Sequence, residues 1–277
     1  MGTVPSLEYG GPQRVRHPVF ELLSNRRRAL REQSMTNTDA YQTDLAYIHD
    51  TGYGNFARKS APGLLRHFQE AGIHDGYIVD LGCGSGIWAK ELVDAGYDVV
   101  GVDISSAMIE IAHQRVPKAK FHVASFLQFP IPSCRAVTAL GEVFNYLFDS
   151  GNSLLALKTV CENIFHALSP GGLLIFDVAV PDRFQGQSQA FTEGENWACL
   201  VEYEHNQSKQ QLTRRIVTFR KIGKNYRRQE EIHRQQLFDE PEINAMLKGI
   251  GFHTQSVQAY GDFPLIKGLI GFIASKP

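Results

Sequence analysis

Short apolar runs alternate with amphipathic segments over residues 63–180. The apolar runs lack the polar alternation of half-exposed strands, so they predict strands that are buried on both faces. The predicted strands are 77–82, 98–103, 121–124, 136–140 and 173–180, and the predicted helices are 63–72, 89–95, 108–116 and 154–168. This order is typical of an α/β fold with a doubly wound, Rossmann-like parallel sheet.

The pattern changes after Pro181. Residues 197–205, 212–222 and 226–238 predict three strands, and the polar turns between them favour an antiparallel meander. This insertion is too small for a second independent domain, so we interpret it as a cap on the mouth of the sheet. The last predicted elements are a helix at 242–247 and strands at about 252–260 and 268–275.

Composition narrows the possible functions. The 277 residues include 28 Lys and Arg and 29 Asp and Glu, so the formal net charge is −1. This balance argues against a dedicated nucleic-acid or anionic-membrane binder, because phosphate affinity comes mainly from cationic side chains. The sequence has no apolar signal core, no stretch of about 18 apolar residues, no C-x-x-C pair and no metal-ligand cluster. We therefore expect a cytoplasmic protein with reduced thiols and without a metal.

A glycine-rich loop, VDLGCGSG at residues 79–86, joins the first predicted strand to the next helix. Glycines in this position let the backbone pass close to a ligand at the carboxyl end of the sheet. Asp103 ends the next strand, about 20 residues after Gly82, which suits a carboxylate that binds ribose hydroxyls. The sequence therefore predicts a cofactor that contains a nucleoside.

Two residues indicate which cofactor this is. A dinucleotide-binding loop requires a third glycine at the position of Ile87. Asp80 places a carboxylate beside the loop, where it would repel a pyrophosphate but attract a sulfonium or an amino group. A P-loop is excluded because no G-K-[ST] follows. S-adenosylmethionine is the ligand that fits best.

The segments VDLGCGSG, GVDIS and LSPGGLLIFD resemble those of class I S-adenosylmethionine-dependent methyltransferases that act on small molecules, similar to glycine N-methyltransferase and to sugar N-methyltransferases. The resemblance covers roughly residues 60–180. It implies a seven-stranded sheet with its last strand antiparallel, and S-adenosylhomocysteine as the product. It places cofactor contacts in the loop and at the ends of the next strands. The residues there are Asp80, Gly82, Cys83, Gly84, Gly86, Asp103, Ile104, Ser125, Phe126 and Gly141.

Two further cofactor contacts depend on the same resemblance. Family members often have an Asp after the third strand for the adenine amino group, whereas this chain has Ser125, so that Ser125 or a backbone group must serve. Members similar to glycine N-methyltransferase have an Arg on the helix before the first strand, which pairs with the cofactor carboxylate. Arg58 matches that arrangement, and its guanidinium could bind both carboxylate oxygens. The alternative for Arg58 is an exposed helix arginine.

Pattern and resemblance together predict four parts of the chain. They are an N-terminal extension (1–40, partly helical or mobile), an S-adenosylmethionine-binding core (41–180), the antiparallel cap (181–238) and a C-terminal segment that completes the core sheet (239–277). We expect cap residues to decide specificity, since the fold does not imply the substrate.

The segment GEVFNY (141–146) leaves the fourth predicted strand and, in this fold, faces the transferable methyl group. Glu142 could orient an amine or accept a proton, or could interact with a helix N-terminus. Tyr146 is a candidate catalytic residue that could form a wall of the substrate site, with a core position as the alternative, and Asn145 is a candidate substrate contact. His233 lies in the last strand of the cap with Glu231 on the same face, and it is the favoured general base if one is used. A surface histidine is the alternative.

Tyr53 and Arg215 complete the candidates for the substrate site. Tyr53 lies between two glycines and could close over the cofactor, or could be an ordinary aromatic anchor. The meander arginines are either solvated charges on a small sheet or, where one or two face inward, would favour a substrate with a carboxylate or phosphate; they are Arg214, Arg215, Arg227 and Arg228. The chain lacks both the [DN]-P-P-[YF] motif and a Pro-Cys pair, which further weakens a nucleic-acid substrate.

The sequence thus predicts an enzyme that moves a methyl group from S-adenosylmethionine to a nitrogen or oxygen of a small metabolite by in-line displacement. No nucleic-acid or membrane partner is expected, and both a monomer and a homodimer fit. Two alternatives stand beside this prediction. One is a non-catalytic S-adenosylmethionine-binding or regulatory protein, and the other is a nicotinamide-dependent oxidoreductase, which Ile87 and Asp80 disfavour.

Overall fold

The structure, a computed structural model, describes residues 40–184, 186 and 188–277. It contains a seven-stranded sheet and a separate four-stranded sheet. The seven strands are β1 (Tyr77–Leu81), β2 (Asp98–Asp103), β3 (Lys120–Val123), β4 (Cys134–Ala139), β5 (Leu168–Ala179), β10 (His253–Val257) and β13 (Leu269–Ser275). Of the predicted extension at 1–40, only Ala40 lies within the described residues.

The strand order of the large sheet is β10-β13-β5-β4-β1-β2-β3. Strands β1 to β5 are parallel, β13 runs antiparallel to β5, and β10 runs antiparallel to β13. The predicted doubly wound sheet with its last strand antiparallel is therefore confirmed. The order reverses between β1 and β4, and the crevice at the carboxyl ends of two such strands is where ligands bind in open α/β sheets.

Helices cover both faces of this sheet. The α-helices of the described residues are α1 (Thr43–Gly52), which contacts the cap, and α2 (Asn55–Glu70), α3 (Ile87–Asp94), α4 (Ser106–Arg115), α5 (Leu154–Ala167) and α6 (Glu240–Ile250), which pack on the sheet. Side chains of β1 contribute to two apolar clusters, one with α2, α3 and α4 around Ile78 and one with α5 and α6 around Val79. Burial on both faces explains why β1 is a nearly continuous apolar run. Among the described residues, no helix has the length and apolar character to cross a bilayer.

The smaller sheet follows β5 and forms the cap. Its strands are β6 (Gln189–Gly194), β7 (Trp197–Asn206), β8 (Gln211–Ile222) and β9 (Asn225–Gln236), all antiparallel and in sequential order. The prediction of an antiparallel meander was correct, but it missed β6. This edge strand is mostly exposed, so its sequence carries no apolar periodicity. A two-residue pair, β11 (Ala259–Tyr260) with β12 (Phe263–Pro264), completes the strands of the described residues.

Helix α1 was not predicted, and it is bound to the inner face of the cap. Its Asp44 is fully buried and accepts hydrogen bonds from Arg220 of β8 (3.2 Å) and Arg227 of β9 (2.6 Å). The Arg220 guanidinium also lies 3.8 Å from the ring centroid of Tyr47. These contacts fix α1, and the residues just before it, against the strands of the cap that face the core.

Candidate active site

The glycine loop between β1 and α3 adopts a conformation that side chains disfavour. Gly82, Gly84 and Gly86 have φ angles of 65°, 52° and 75°, in the left-handed region. A Cβ atom at Gly82 would lie 2.4 Å from Val143, whereas one at Gly84 would meet nothing within 4 Å. The loop therefore leaves open space beside Gly84, where a ligand can approach the backbone.

Two carboxylates flank this space, the buried Asp80 and the half-buried Asp103. Asp80 Oδ1 accepts a hydrogen bond from the Thr138 hydroxyl at 2.8 Å. Asp103 accepts the amide N–H of Gly84 at one oxygen (2.9 Å) and that of Ser105 at the other (2.8 Å). Among the described residues, neither carboxylate is paired with a cationic side chain. Such a donor set fits a ligand that supplies hydroxyl donors and a positive charge, as S-adenosylmethionine does.

Burial changes the protonation of both acids. Desolvation raises the pKa of Asp80 to about 7, with a further contribution from the nearby charge of Asp103. Desolvation also raises the pKa of Asp103, although its backbone N–H donors oppose that effect. Without a ligand, Asp80 is therefore largely protonated below about pH 7.

We expect S-adenosylmethionine binding at about pH 6 to release about one proton from Asp80, because a bound cationic group favours the ionised carboxylate. Affinity should therefore rise with pH up to about pH 7, where Asp80 is already ionised without ligand. Calorimetric titrations in two buffers of different ionisation enthalpy measure the proton count. Asp98→Asn, an exposed residue at the opposite end of β2, should retain the release. The same release from Asp80→Asn would contradict the assignment.

The other predicted cofactor residues differ in their surroundings. Arg58 is exposed on α2, and a Cβ atom at Gly54 would contact both its guanidinium and Ile87, which places the Arg58 side chain near the start of α3. Ile104 is half-buried directly after Asp103. The Cys83 thiol is buried, and desolvation raises its pKa well above the usual range, which makes it unreactive.

The residues after β3 are engaged with the protein itself. The Ser125 hydroxyl donates to Asp149 Oδ2 (2.8 Å) and accepts the amide N–H of Leu127 (3.1 Å). Phe126 packs in the core against Phe144, with ring centroids 5.3 Å apart. The side chain of Phe126 therefore serves the core, which the sequence interpretation did not anticipate, and Asp149 is an acceptor that the sequence analysis missed.

A strained turn follows β4. Gly141 and Glu142 have φ angles of 91° and 64°, and the second value is unfavourable for a residue with a side chain. Asp177 at the end of β5 accepts the amide N–H groups of Gly141 (3.0 Å) and Glu142 (2.6 Å). Burial raises the pKa of Asp177 to about 7. Asp177 thus holds the turn in place, and the sequence analysis did not single it out.

Glu142 is held by three side chains. Its carboxylate accepts hydrogen bonds from Arg183 (2.6 Å), Arg214 (2.6 Å) and Gln235 (2.8 Å). Burial alone would raise the pKa of Glu142, but the charges of Arg214 and Arg183 outweigh it and lower the pKa to about 2. These contacts argue against Glu142 as a proton acceptor. Its other predicted roles, to orient an amine or to interact with a helix N-terminus, stay predictions.

The two remaining catalytic candidates meet at the inner face of the cap. Tyr146 pairs with Gln235 of β9, and its hydroxyl contacts Arg214 (3.2 Å) and the hydroxyl of Tyr41 (3.1 Å). The His233 side chain is 1% exposed, and its ring lies 5.9 Å from the ring of Tyr146. Residues from the turn after β4, from β8 and from β9 thus converge at the carboxyl edge of the large sheet.

Comparisons with known proteins agree with this geometry. Residues 78–172 match the family model of a methyltransferase domain. The chain is 28% identical over 194 residues to YqeM of Bacillus subtilis (strain 168), named as a methyltransferase, and the match covers 66% of this chain and 76% of YqeM. The crystal structure of an S-adenosylmethionine-dependent methyltransferase from Clostridium acetobutylicum ATCC 824 shares the fold, with a TM-score of 0.72, 20% identity, and coverage of 83% and 97%. These matches identify residues 78–172 as a methyltransferase domain, in a chain that has the fold of S-adenosylmethionine-dependent methyltransferases.

The methyltransferase has a further relative of similar length. It is 22% identical over 222 residues to dTDP-3-amino-3,6-dideoxy-α-D-glucopyranose N,N-dimethyltransferase of Streptomyces fradiae, covering 78% of this chain and 86% of that one. The predicted enzyme class and cofactor are thus confirmed. Between the three interpretations of the sequence, these matches favour the methyltransferase over the oxidoreductase and the non-catalytic protein.

Two residues that were predicted to contact the substrate, Asn145 and Arg215, bond instead to other parts of the methyltransferase. The Asn145 side chain is fully buried and bonds to the backbone of Ala179 and Gln236, which joins β5 to the end of β9. Arg215 points to the outer face of the cap, where it pairs with Glu202 (2.8 Å) and Glu230 (2.9 Å). Asn145 thus fastens the cap to β5 and Arg215 stabilises the outer surface of the cap, and these contacts give no support to a substrate role for either residue.

Tyr53 lies at the end of α1. Its side chain is 40% exposed, its ring stacks on His49 at 6.0 Å, and it lies 6.4 Å from the ring of Trp197. These contacts are compatible with either of its predicted roles, the lid or the aromatic anchor.

Several residues of the site were not predicted from the sequence. Arg214 was one of four meander arginines that could face inward, and the structure shows that it shares a strand face with the buried residues Leu212 and Ile216. His49 and Tyr41 come from a segment without a predicted element. Burial lowers the pKa of His49 to about 4, so its imidazole is neutral near pH 7.

Proposed function

We propose that this methyltransferase transfers the methyl group of S-adenosylmethionine to the amine nitrogen of a small polar metabolite, with His233 as the proton acceptor. One observation carries the proposal. His233 is buried at the inner face of the cap, and among the residues that the structure describes its Nδ1 atom has no hydrogen-bond partner. A buried unpaired acceptor is costly, and it suits a site that a substrate N–H completes.

The protonation state of His233 suits this role. Burial lowers its pKa, and the positive charge of Arg214 acts in the same direction, while Glu231 opposes both. The imidazole is therefore neutral near pH 7 and can accept a proton. Bound S-adenosylmethionine supplies an electrophilic methyl group. The amine lone pair forms the new N–C bond, the S–C bond breaks with its electron pair on sulfur, and the amine proton passes to His233 Nδ1.

The cluster around Glu142 would align the acceptor. Arg183 and Arg214 hold the Glu142 carboxylate, and Arg214 also contacts the Tyr146 hydroxyl. Tyr146 is thereby fixed beside His233, where it can form a wall of the acceptor site. Since methyl transfer depends largely on alignment, such a fixed wall contributes directly to the rate.

For the cofactor we propose the contacts that the open space beside Gly84 allows. Asp103 would bind the ribose hydroxyls, Asp80 would face the amino group, and Arg58 would reach the carboxylate. The apolar side chain of Ile104 would lie against the adenine. Asp149, held by Ser125, offers a carboxylate for the adenine amino group. In this arrangement the carboxylate of Asp80 lies beside the positively charged amino group of the ligand, and that of Asp103 accepts hydrogen bonds from the ribose hydroxyls.

The acceptor class is supported by two features. The net charge of −1 gives no general attraction for nucleic acid or for an anionic membrane, and it suits a cytoplasmic enzyme of small metabolites. The relative from Streptomyces fradiae is named for an amino sugar nucleotide. We therefore propose an amino sugar as the first acceptor to test, with residues 181–238 as the part that selects it.

The test is a methyl-transfer assay with S-adenosylmethionine and dTDP-3-amino-3,6-dideoxy-α-D-glucopyranose, read as S-adenosylhomocysteine formed and as the mass of the product. The same sugar nucleotide with a hydroxyl in place of the amine is the matched control. Methylation of the amine alone supports the proposal. Methylation of the hydroxyl compound at an equal rate would overturn the choice of nitrogen, and a panel of simple amines extends the test to other acceptors.

A further inference from the structure

The carboxylate of Glu231 lies beside His233 in an unusual environment. Glu231 is 2% exposed, and its Oε2 atom lies 2.8 Å from His233 Nε2. The same oxygen accepts the amide N–H of Tyr41 at 2.8 Å, and Oε1 accepts that of Gln42 at 2.9 Å. Among the described residues no lysine or arginine pairs with it. Both oxygens thus face hydrogen-bond donors of the backbone segment before α1.

This arrangement decides which nitrogen of His233 carries the proton. A carboxylate accepts hydrogen bonds, and the amide N–H groups of Tyr41 and Gln42 both donate to Glu231. The Nε2 atom must then donate to Glu231 Oε2, which leaves the lone pair of the neutral ring on Nδ1. That atom is the buried one without a partner among the described residues. With the opposite tautomer, Nε2 and Glu231 would be two acceptors face to face.

The segment that holds Glu231 also contacts the cofactor side of the site. The Tyr41 carbonyl accepts a hydrogen bond from the Ser105 hydroxyl at 2.9 Å, and Ser105 donates its amide to Asp103. Tyr41 has a φ angle of 47°, a conformation that a residue with a side chain keeps only when its contacts enforce it. A chain of hydrogen bonds therefore runs from Asp103 through Tyr41 to Glu231.

We propose that Glu231 is a positioning residue, which holds His233 as the Nε2–H tautomer and is itself held by the Tyr41 and Gln42 amides. The inference rests on the proposed role of His233 in catalysis. Glu231 touches neither the acceptor nor the cofactor in this assignment. It directs the Nδ1 lone pair toward the acceptor amine and stabilises the imidazolium after proton transfer. The hydrogen bond from the Ser105 hydroxyl to the Tyr41 carbonyl thereby connects the glycine loop, through Asp103, to the proposed proton acceptor.

The first test is independent of turnover. Nitrogen NMR of the full chain labelled in its histidines reports the tautomer of each ring, and His233→Gln identifies the signal of His233. We expect Nε2–H in the wild type at neutral pH. In Glu231→Gln the amide cannot accept at both oxygen positions, so we expect the tautomer mixture to shift toward Nδ1–H. An Nδ1–H ring in the wild type would overturn the proposal, whatever the activity of any variant.

The second test separates positioning from simple structural support. Glu231→Gln should lower kcat by about 10- to 100-fold and change the KM values by less than about threefold. The acidic limb of the pH profile should move to lower pH, because Glu231 raises the pKa of His233. The other titratable groups that face His233 are Arg214 of β8, Tyr41 and Tyr146. His49 of α1 lies close enough for its charge to interact with that of His233. All four residues are retained in Glu231→Gln.

Two variants complete the experiment. Glu231→Asp keeps the negative charge, so its acidic limb should remain near that of the wild type even if kcat falls. Glu230→Gln is the matched control on the same strand, because Glu230 pairs with Arg215 and Arg228 on the outer face of the cap. A wild-type rate and tautomer in Glu231→Gln would refute the proposal. If His233→Gln were fully active while the Nε2–H tautomer held, the proposed base would fail but the positioning contact would stand.

Discussion

Replacing Asp103 by alanine should weaken S-adenosylmethionine binding at least about 100-fold. A hydrogen bond to a charged group contributes about 1.5–3 kcal/mol, and the two ribose hydroxyls would make two such bonds. Asp103 also accepts the amide N–H groups of Gly84 and Ser105, so its loss loosens the loop as well as the contact. Calorimetric titration of each variant with S-adenosylmethionine and S-adenosylhomocysteine measures the change.

The control for this prediction is on the same strand. Asp98→Asn, at the exposed start of β2, should bind with the wild-type Kd. Thermal unfolding of both variants shows whether the fold is retained. A Kd for Asp103→Ala within about threefold of the wild type would refute the ribose assignment, because at least one charged hydrogen bond would then be missing from the complex.

Replacing His233 by glutamine should lower kcat by about 100- to 10,000-fold with an amine acceptor, the range that a positioned proton acceptor contributes. Glutamine fills similar space and keeps a polar end, but it cannot take up a proton. The Kd for S-adenosylmethionine should not change, since none of the predicted cofactor contacts lies on the cap. Single-turnover kinetics and calorimetry measure the two quantities separately.

His166→Gln is a suitable control because His166 is exposed near the end of α5, away from the cap. It should leave both quantities unchanged. If His233→Gln kept normal rates across the pH range, the acceptor would be deprotonated by water or would arrive as the free amine. Alignment by the Glu142 cluster would then account for the catalysis.

The sequence pattern alone does not decide which of the adjacent residues Arg214 and Arg215 faces the site. The two residues are adjacent in β8, where apolar and polar side chains do not alternate regularly. Ile216 and Val217 are both buried, although they lie on opposite faces of the strand. The sequence therefore offered either arginine as the inward one. Only the packing of β8 against α1 and β9 decides that Arg214 reaches Glu142 while Arg215 pairs with Glu202.

Asn145 and Tyr41 illustrate a second limit. Asn145 lies in the turn after β4, where we expect a substrate contact, yet its side chain bonds to the backbone of Ala179 and of Gln236, which is 91 positions away in the chain. Tyr41 lies outside any predicted element, and its partners Ser105, Tyr146 and Glu231 come from three separate parts of the sequence. Local patterns contain no information about such distant partners.

The sequence by itself determined the doubly wound sheet, the glycine loop and the cofactor. These follow from local causes, because strand burial requires continuous apolar runs and a close approach to a ligand requires glycine. Only the tertiary structure decided the arrangement of the proposed acceptor site, including the pairing of Glu142 with two arginines and that of Glu231 with His233. The protonation states of Glu142 and His233 depend on burial and on the charges of distant segments, so they are set only once the cap and α1 have packed on the sheet.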